Sequence, residues 1–276
     1  MLAITRARSP KLAIHEYRCD AGPNDRPFTE VHHEYSISYV KNGSFGCVSH
    51  GRLHELIAGS LLIGRPDLEF MCTHEHHACG DECLSFKFSP EAVEEIGACD
   101  DVWQLGALPP LPDVMIMGEL AQAVVDGRSA IGFDEVAYLF ANRFVRSVRQ
   151  MKSRPTKLRP RERQRVIDIA RWIEASSHEQ IDLDTTARAA GMKAFHLLRT
   201  FARVLGLTPH QYLIRARLRH AARLLTDEGS TITQIAGAVG FADLSNFIRT
   251  FGRAAGVSPQ EFRKAARRGG PKTGVE

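Results

Sequence analysis

Two stretches in the C-terminal half of the chain repeat the same order of apolar, polar and glycine positions. They cover 199–209 and 249–259, a distance of 50 residues, and each carries Arg-Thr-Phe, a second Arg, a Gly, a hydroxyl residue and a Pro in register. The apolar spacing is helical, and Phe201 and Phe251 are expected to anchor two small cores. A repeat of this length is typical of one supersecondary unit used twice.

Each copy predicts a short helix, a glycine turn and a longer helix. The short helices are expected at 184–190 and 233–239, and the longer helices end at Gly206 and Gly256. A hydroxyl residue followed by Pro then starts the next helix, because the hydroxyl caps an unpaired backbone N–H and Pro carries none. This order is that of a helix-turn-helix, whose second helix enters the major groove of DNA. A helix over 209–226 is expected to join the two units.

The N-terminal half has a different pattern, in which apolar and polar residues alternate with a period of two. Over 31–39 the alternation predicts a strand whose odd-numbered residues lie on the inner side. Asn42-Gly43 predicts a hairpin turn after that strand. Further short apolar runs separated by Gly and Pro predict a β-barrel or a double-sheet jelly roll.

Two helices are expected between these strands and the repeat. Residues 113–125 and 133–151 flank a turn at Asp126-Gly127, and the second of them carries an apolar stripe at helical spacing. The pair is interpreted either as a dimerisation element or as a cap on the core of the strand domain. The basic, Pro-containing segment 152–160 that follows is the expected domain boundary.

Charge divides the 276-residue chain at this boundary. Residues 1–151 carry 13 Lys and Arg against 21 Asp and Glu, a net charge of −8, whereas residues 152–276 carry 23 against 11, a net charge of +12. The basic half has the helix-turn-helix pattern, as expected of a surface that meets phosphates. With no run of about 18 apolar residues and no apolar leader, we expect a cytoplasmic protein without a membrane partner and with reduced Cys residues.

Specific motifs in the repeat resemble those of the AraC/XylS family of transcription regulators. They are Gly206-Leu207-Thr208-Pro209-His210-Gln211-Tyr212, Arg217-Leu218, Ile235-Ala236 and Gly240-Phe241, and the resemblance covers about residues 161–267. The strand order of the N-terminal half resembles, more loosely, the cupin-like effector domain of many members. The resemblance implies a bacterial-type regulator that senses a signal, dimerises through a helical pair and binds a promoter.

The expected fold class is therefore α+β with two domains. The N-terminal part is a cupin-like β-barrel or jelly roll with a helical pair, and the C-terminal part is an all-α double helix-turn-helix. The expected boundaries are 1–112 for the cupin-like sensory domain, 113–151 for the helical pair that dimerises, 152–160 for the linker, 161–267 for the AraC-type DNA-binding domain and 268–276 for a disordered tail.

Matching to the family's motif also implies which side chains contact DNA. Arg binds guanine bidentately, Asn prefers adenine, and Phe or Leu packs on the thymine methyl group. For each Arg the alternative is a phosphate contact or an ion pair within the chain. Lys193 stands where the family usually has a Ser helix cap, and we expect it to contact a phosphate. The expected DNA-binding residues are Phe195, Leu198 and Arg199 on the first recognition helix, Leu244, Ser245, Asn246 and Arg249 on the second, and Lys193.

A cluster of Cys and His residues in the N-terminal half indicates metal chemistry. Alternation places Cys72, His74 and His76 on one inward strand face, and a hairpin would bring Cys83 of the next strand close to them. Thiolate and imidazole ligands suit Zn²⁺ or another divalent transition metal ion. The expected ligands are Cys72, His74, His76 and Cys83, with Cys79, His33 and Cys19 as secondary candidates.

Other roles for this cluster stay open. It is a redox switch if Cys79 and Cys83 are exposed thiols with a lowered pKa. It is inert packing or a structural zinc site if the domain senses an ordinary small molecule, in a pocket lined by Tyr35, Tyr39 and Phe70. It is a catalytic centre if the chain is a metal-dependent cupin dioxygenase or isomerase fused to a DNA-binding domain.

We therefore expect a sequence-specific DNA-binding transcription regulator and not an enzyme, with no catalytic residues. The expected partners are double-stranded promoter DNA, a second copy of the chain, RNA polymerase and an unknown effector. The expected signal is a metal ion, a redox state or a small molecule that acts through the Cys/His cluster.

Overall fold

The computed structural model describes residues 2–75, 77, 80–129, 131–150, 160–227 and 229–267. The predicted tail at 268–276 and the predicted linker, apart from Pro160, lie outside these residues. The strands of the N-terminal part, here called the barrel, are β1 (Leu2–Arg8), β2 (Leu12–Cys19), β3 (Phe28–His32), β4 (Tyr35–Ser49), β5 (Arg52–Ile57), β6 (Leu61–Gly64), β7 (Leu68–Thr73), β8 (Asp81–Phe88) and β9 (Ala107–Leu108).

These strands pair in antiparallel fashion and form two sheets that share β4. One sheet has the order β1-β2-β8-β4-β6-β9, and the other joins β3, β7, the second half of β4 and β5. Phe45 and Phe70 of the second sheet meet Leu62 and Cys83 of the first in one buried cluster. The antiparallel double sheet agrees with the predicted class, and its likeness to cupins rests on the sequence resemblance alone.

The hairpin turn predicted at Asn42-Gly43 is wrong, because β4 runs unbroken through these residues. They form an irregularity instead, where the pairing of β4 with β8 shifts register between Val40 and Asn42. Gly43 has a φ of 75°, and an added Cβ would lie 2.0 Å from the carbonyl oxygen of Gly80. A bulge bends a strand, and this bend lets β4 pass from one sheet to the other.

The single strand predicted over 31–39 is also wrong. The chain forms β3 and β4 there, separated at His33-Glu34, so the alternation changes phase between the two strands. His32 is consequently buried and Val31 is 39% exposed, the reverse of the prediction.

The hairpin predicted between the strands of Cys72 and Cys83 does not form. Strand β7 pairs with β3 and β4, whereas β8 pairs with β2 and β4. The two Cys residues therefore belong to different sheets and meet in the shared buried cluster.

The helices predicted over 113–125, 133–151, 184–190, 209–226 and 233–239 lie within two residues of their predicted bounds, which is the usual uncertainty of helix ends. Among the described helices, none is long and apolar enough to cross a membrane. They are α1 (Pro90–Glu95), α2 (Pro112–Val125), α3 (Phe133–Arg149), α4 (Pro160–Ala175), α5 (Leu183–Ala189), α6 (Ala194–Leu205), α7 (Pro209–Thr226), α8 (Ile232–Ala238), α9 (Leu244–Ala255) and α10 (Pro259–Arg267), with a 3₁₀ turn at Asp100–Gln104.

Helix α2 lies inside the molecule. Its residues from Val114 to Ala121 are all buried, and it packs against β4, α3, α7 and α9. The helix therefore caps the barrel core and also bridges to the C-terminal helices. On the outer side of α3, Leu139 is 39% exposed.

Helices α4 to α10, here called the helical domain, contain the two helix-turn-helix units α5–α6 and α8–α9, joined by α7. Gly206 and Gly256 end α6 and α9 with φ values of 74° and 75°. Thr208 and Gln211 cap α7 reciprocally. Phe201 and Phe251 are fully buried, which confirms them as core anchors.

A buried carboxylate joins the barrel to the helical domain. Glu119 of α2 is 3% exposed and accepts hydrogen bonds from Tyr39 Oη of β4 at 2.6 Å and from Arg223 Nε of α7 at 2.6 Å. Arg219 Nε lies 3.7 Å from the same carboxylate, and its guanidinium also contacts Glu174 of α4. Because a buried charge is stable only when it is paired, this network holds the two parts in one relative position.

The substitution Glu119→Gln should lower the free energy of unfolding by about 3 kcal/mol, because it removes the buried partner of two guanidinium groups. Glu95→Gln is the matched control, since Glu95 pairs with Lys11 at the surface, and it should leave the urea midpoint unchanged. Urea unfolding followed by circular dichroism measures both. Equal shifts of the midpoint would show that the Glu119 network does not contribute specially to stability.

Candidate functional site

The second helices of the two units, α6 and α9, expose equivalent side chains. Residues 50 apart hold equivalent positions, and spacings of three and four residues place each set on one helix face. Each unit thus presents a polar and mainly basic stripe. The exposed residues are His196, Arg199 and Arg203 on α6 and their counterparts Asn246, Arg249 and Arg253 on α9.

The predicted DNA-contacting residues of the first unit differ in exposure. Arg199 is exposed and Leu198 is half-buried. Lys193 is exposed at the N-cap of α6 and makes no side-chain hydrogen bond to the helix. The side chain of Phe195 lies outside the described residues. The face of α6 thus offers Arg199 and Lys193 as cations for an anionic partner.

The second unit has a complete helix cap. Asp243 accepts hydrogen bonds from the backbone N–H groups of Ser245 at 3.3 Å and Asn246 at 2.7 Å. Arg249 Nη2 donates to Asn246 Oδ1 at 3.2 Å, so the guanidinium and the amide are held side by side on the exposed face. Leu244 is half-buried and packs against the core.

Ile248 is the second unit's counterpart of Leu198, and the motif-based prediction did not single it out. It is 40% exposed on α9. The 50-residue repeat alone identifies this position, and it also identifies Arg203 and Arg253, one helical turn beyond the predicted arginines. An exposed apolar side chain on this face suits a thymine methyl group.

The interior of the barrel contains a cavity of about 380 Å³, here called the barrel cavity. A cavity of this size accommodates a small ligand. Aromatic side chains and polar groups share its lining. The Cys, His, acidic and Lys residues in the lining are Cys19, Cys72, Cys83, His32, His33, His74, Glu30, Asp81 and Lys87.

Three of these side chains converge, and we call them the Cys-His-Asp triad. One donor atom from each of Cys19, His74 and Asp81 lies within 4.8 Å of the other two. Cys19 ends β2 opposite Asp81 at the start of β8, and His74 follows β7 of the other sheet. Cys19 Sγ lies 3.8 Å from His74 Nε2, and Cys83 Sγ donates to Asp81 Oδ1 at 3.4 Å. This arrangement combines sulfur, nitrogen and oxygen donors.

Only part of the predicted ligand set belongs to the triad. His74 and the secondary candidate Cys19 belong to it. Asp81 was not predicted, although it stands two residues before Cys83 on the same alternating face. Of the other predicted ligands, Cys72 and Cys83 line the barrel cavity outside the triad, His33 is exposed at the cavity, and His76 and Cys79 lie outside the described residues.

Burial controls the protonation of these groups. Desolvation raises the pKa of Cys19 and Cys72, and it raises the pKa of Cys83 well above its usual value. Desolvation also raises the pKa of Cys47, a further buried thiol of the barrel, to about 12, and that of Asp81 to about 7. A redox-sensing thiol needs a lowered pKa, and burial acts in the opposite direction on these four thiols. Cys79, the partner predicted for Cys83 in a redox pair, lies outside the described residues.

Two other buried histidines of the barrel are held by protein contacts. His77 Nδ1 lies 2.8 Å from Ser44 Oγ and His77 Nε2 lies 3.1 Å from Glu55 Oε2, so both ring nitrogens have partners. His32 stacks on Phe70 with ring centroids 4.2 Å apart, and burial lowers its pKa to about 4. Both ring nitrogens of His77 are thus satisfied within the barrel, whereas Nε2 of His32 has no hydrogen-bond partner among the described residues.

A second cavity, of about 330 Å³, lies between the barrel and the helical domain, and we call it the interdomain cavity. Arg18, Asp20 and Glu82 line its barrel side, and Arg171, Glu174 and Tyr212 line its helical side. Cys19 and Asp81 line both cavities. The triad thus occupies the wall that separates them.

Comparison with known proteins assigns the helical domain to a known class. A helix-turn-helix domain family matches residues 186–265. The protein named Probable transcription factor PqrA, from Proteus vulgaris, is 34% identical over 101 residues, 36% of this chain and 83% of PqrA. The HTH-type transcriptional activator RhaS of Pectobacterium carotovorum is 26% identical over 253 residues, 87% of this chain and 88% of RhaS.

A solved structure and two operon regulatory proteins complete the comparison. The DNA-binding domain of AdpA, solved in complex with a target DNA, is 32% identical, with a TM-score of 0.37 over 39% of this chain and 96% of that chain. The chain spans about a third of the length of the operon regulatory proteins of Escherichia coli and Pseudomonas aeruginosa that it also matches, 31% and 32%.

The substitution Asp243→Ala should lower the free energy of unfolding by about 1 kcal/mol, because it removes the cap of α9. Lys193→Ala is the matched control. Lys193 is the equivalent residue of the first unit and makes no cap hydrogen bond, so its removal should leave stability unchanged. Urea unfolding measures both variants, and equal losses would contradict the difference between the two caps.

Proposed function

This chain belongs to the AraC/XylS family of transcription regulators, and we propose that it regulates transcription by binding double-stranded DNA through α6 and α9. The observation that carries the proposal is the exposed face shared by the two helices. Arg199 and Arg249 hold equivalent positions on it, as do Arg203 and Arg253. Two equivalent helix faces, held at a fixed distance from each other, suit two successive major grooves of DNA.

The charge and length of the helical domain support this proposal. The net charge of +12 over residues 152–276 favours a polyanionic partner. Helix α7 has 18 residues and is about 27 Å long at 1.5 Å per residue. Successive major grooves on one side of DNA are about 34 Å apart, so α7 suits a spacing of about one DNA turn between the two recognition helices.

The exposed side chains also have the chemistry of base contacts. The guanidinium groups of Arg199 and Arg249 suit guanine, and the amide of Asn246 suits adenine. Leu198 and Ile248 supply apolar contacts for thymine methyl groups at equivalent positions. Lys193, next to the start of α6, suits a phosphate. These roles make the two units similar but not identical in the sequences that they prefer.

We further propose that the cupin-like barrel is the sensory domain. The barrel cavity supplies a site, and the hydrogen bond from Tyr39 to Glu119 connects the barrel to α7. Both helix-turn-helix units attach to α7, so a change in the barrel that moves this helix changes the spacing of α6 and α9. The Cys and His side chains that line the barrel cavity suit a metal ion, and the volume of the cavity suits a small molecule.

A homodimer and RNA polymerase complete the proposed partners. The family resemblance supports a second copy of the chain, and the outer side of α3 is the part of the helical pair that remains accessible. Transcription regulation itself supports contact with RNA polymerase.

The substitution Arg249→Ala should weaken specific DNA binding at least tenfold, because a bidentate contact between Arg and guanine contributes about 1–3 kcal/mol. Arg199→Ala should have a similar effect in the first unit. The binding site is first enriched from a pool of random double-stranded DNA, and the affinity is then measured by fluorescence anisotropy.

Arg52→Ala serves as the control for charge, because Arg52 is an exposed residue of β5 in the barrel. It removes the same charge as Arg249→Ala and should leave the affinity unchanged. If Arg199→Ala and Arg249→Ala both bind like Arg52→Ala, then α6 and α9 are not the recognition helices.

DNA affinity should also fall steeply as the salt concentration rises, because each neutralised phosphate releases counterions. In a plot of the logarithm of the association constant against the logarithm of the salt concentration, each such phosphate adds about −0.9 to the slope. Lys193→Ala should make that slope shallower by about 1 without changing the preferred sequence. Anisotropy titrations between about 50 and 200 mM salt measure the slope. An affinity that does not change over this range would contradict the phosphate contacts.

A further inference from the structure

We infer that the barrel binds a divalent transition metal ion of the zinc class through the Cys-His-Asp triad. The ligand atoms are Cys19 Sγ, an imidazole nitrogen of His74 and a carboxylate oxygen of Asp81. This inference deepens the sensory role proposed for the barrel and rests on it. It replaces the ligand set predicted from the sequence, keeping His74 and Cys19 and adding Asp81.

The distances between the donor atoms fit one ion. Typical zinc bonds of about 2.3 Å to sulfur and 2.0 Å to nitrogen place the two donors roughly 3.5 Å apart at a tetrahedral angle. Cys19 Sγ and His74 Nε2 are 3.8 Å apart, and all three donors lie within 4.8 Å of one another. Small movements of the side chains therefore bring three ligands onto a common centre.

The environment of His74 gives independent support. Its side chain is 1% exposed, and its Nδ1 has no hydrogen-bond partner among the described residues. Its Nε2 has only the long contact with Cys19 Sγ. A buried polar group without a partner costs about 1–3 kcal/mol, and the nearby His77 avoids that cost with two close partners. A metal ion bound at Nε2, the nitrogen near Cys19, supplies a close partner that the protein does not, while Nδ1 keeps no partner among the described residues.

The charges of the triad balance a divalent ion. On binding, the Cys19 thiol releases its proton to solvent, and thiolate and carboxylate together contribute two negative charges. A neutral imidazole completes the set, so the buried site is neutral overall, as buried charges require. Mixed sulfur, nitrogen and oxygen donors suit zinc, whereas magnesium and calcium take oxygen ligands. Three protein ligands leave a fourth tetrahedral position for water or another ligand.

The backbone around the triad holds the ligands in place. Gly80 has a φ of 65°, and an added Cβ would lie 2.2 Å from the carbonyl oxygen of Cys19, so a glycine is required where β8 approaches the end of β2. The N–H of His77 donates to the carbonyl oxygen of His74 at 2.9 Å and closes the turn that carries this ligand. The Cys83 thiol donates to Asp81 and orients its carboxylate, as outer-shell partners of metal ligands do.

The position of the triad connects the ion to the helical domain. Cys19 and Asp81 also line the interdomain cavity, whose opposite side includes Glu174 of α4 and Tyr212 of α7. Glu174 contacts Arg219, which belongs to the network around Glu119. An ion that fixes the ends of β2 and β8 therefore lies in the wall of a cavity whose opposite side is formed by residues of α4 and α7.

The test is a titration of the reduced, full-length protein with Co²⁺, an optical probe for zinc sites, after treatment with a chelator. We expect one Co²⁺ per chain, with tetrahedral d–d bands, absorption from sulfur-to-cobalt charge transfer, and displacement by Zn²⁺. Cys19→Ser should abolish the charge-transfer absorption, and Asp81→Asn should weaken Co²⁺ binding at least tenfold. Cys47→Ala is the matched control, because Cys47 is a buried thiol of the barrel outside the triad.

The inference is overturned if the unaltered protein binds no stoichiometric Co²⁺, or if Cys19→Ser retains the charge-transfer absorption. It is also overturned if folded Cys47→Ala loses that absorption. If Cys19→Ser does not fold, the Asp81→Asn variant tests the inference instead. An affinity for Co²⁺ equal to that of the unaltered protein would then overturn the triad as the metal site.

DNA binding is measured separately, once with chelator and once with one equivalent of Zn²⁺. Protein that binds the enriched DNA but no Co²⁺ overturns the metal site and leaves the regulatory function standing. Protein that binds Co²⁺ but binds no DNA in either condition supports the metal site and overturns the proposed regulatory function.

Discussion

The placement of the recognition helices depends on one buried carboxylate. Glu119 is carried by a helix that approaches β4 so closely that a Cβ on the preceding Gly118 would lie 2.7 Å from the ring of Tyr39. That approach brings the Tyr39 hydroxyl and two guanidinium groups of α7 to the same carboxylate. Because an ionised carboxylate is tolerated in the interior only with such partners, α7 cannot leave the barrel without exposing charge or leaving it unpaired. This constraint makes the barrel and the helical domain mechanically dependent on each other.

The contrast between the acidic N-terminal half and the basic C-terminal half has two consequences in the structure. Basic residues on α6 and α9 face outward, where they suit phosphates and bases. Others, the buried Arg219 and the partly exposed Arg223, pair with Glu119 of the N-terminal half. Arg163 and Glu55 form a further pair of this kind, at 3.5 Å. The net charge of +12 therefore overstates the charge available to DNA, since part of it holds the chain together.

The two helix-turn-helix units are copies in architecture but not in chemistry. The second unit begins α9 with Asp243 as the N-cap residue. The equivalent residue of the first unit, Lys193, makes no side-chain hydrogen bond to the start of α6. Near DNA the carboxylate of Asp243 repels phosphate and the ammonium of Lys193 attracts it. Under the proposed function, the first unit gains more from non-specific attraction, and the second gains more from a rigid helix start that holds Asn246 and Arg249 together. A regulator with unequal units suits an asymmetric binding site.

The sequence by itself determined the helical domain, its repeat and its outward-facing arginines, because helix periodicity, caps and glycine stops act over a few residues. It also determined the family, through motifs confined to that domain. Only the tertiary structure decided the path of β4 through Asn42-Gly43, the burial of His32 and the partners of β7 and β8, because pairing between distant strands depends on the whole sheet. For the same reason it alone brought Cys19 beside Asp81 and His74, which lie on strands and loops far apart in the chain. A signal that is local along the chain can be recognised in the sequence, whereas a site that joins the end of β2 to the residues between β7 and β8 exists only once the two sheets have packed together.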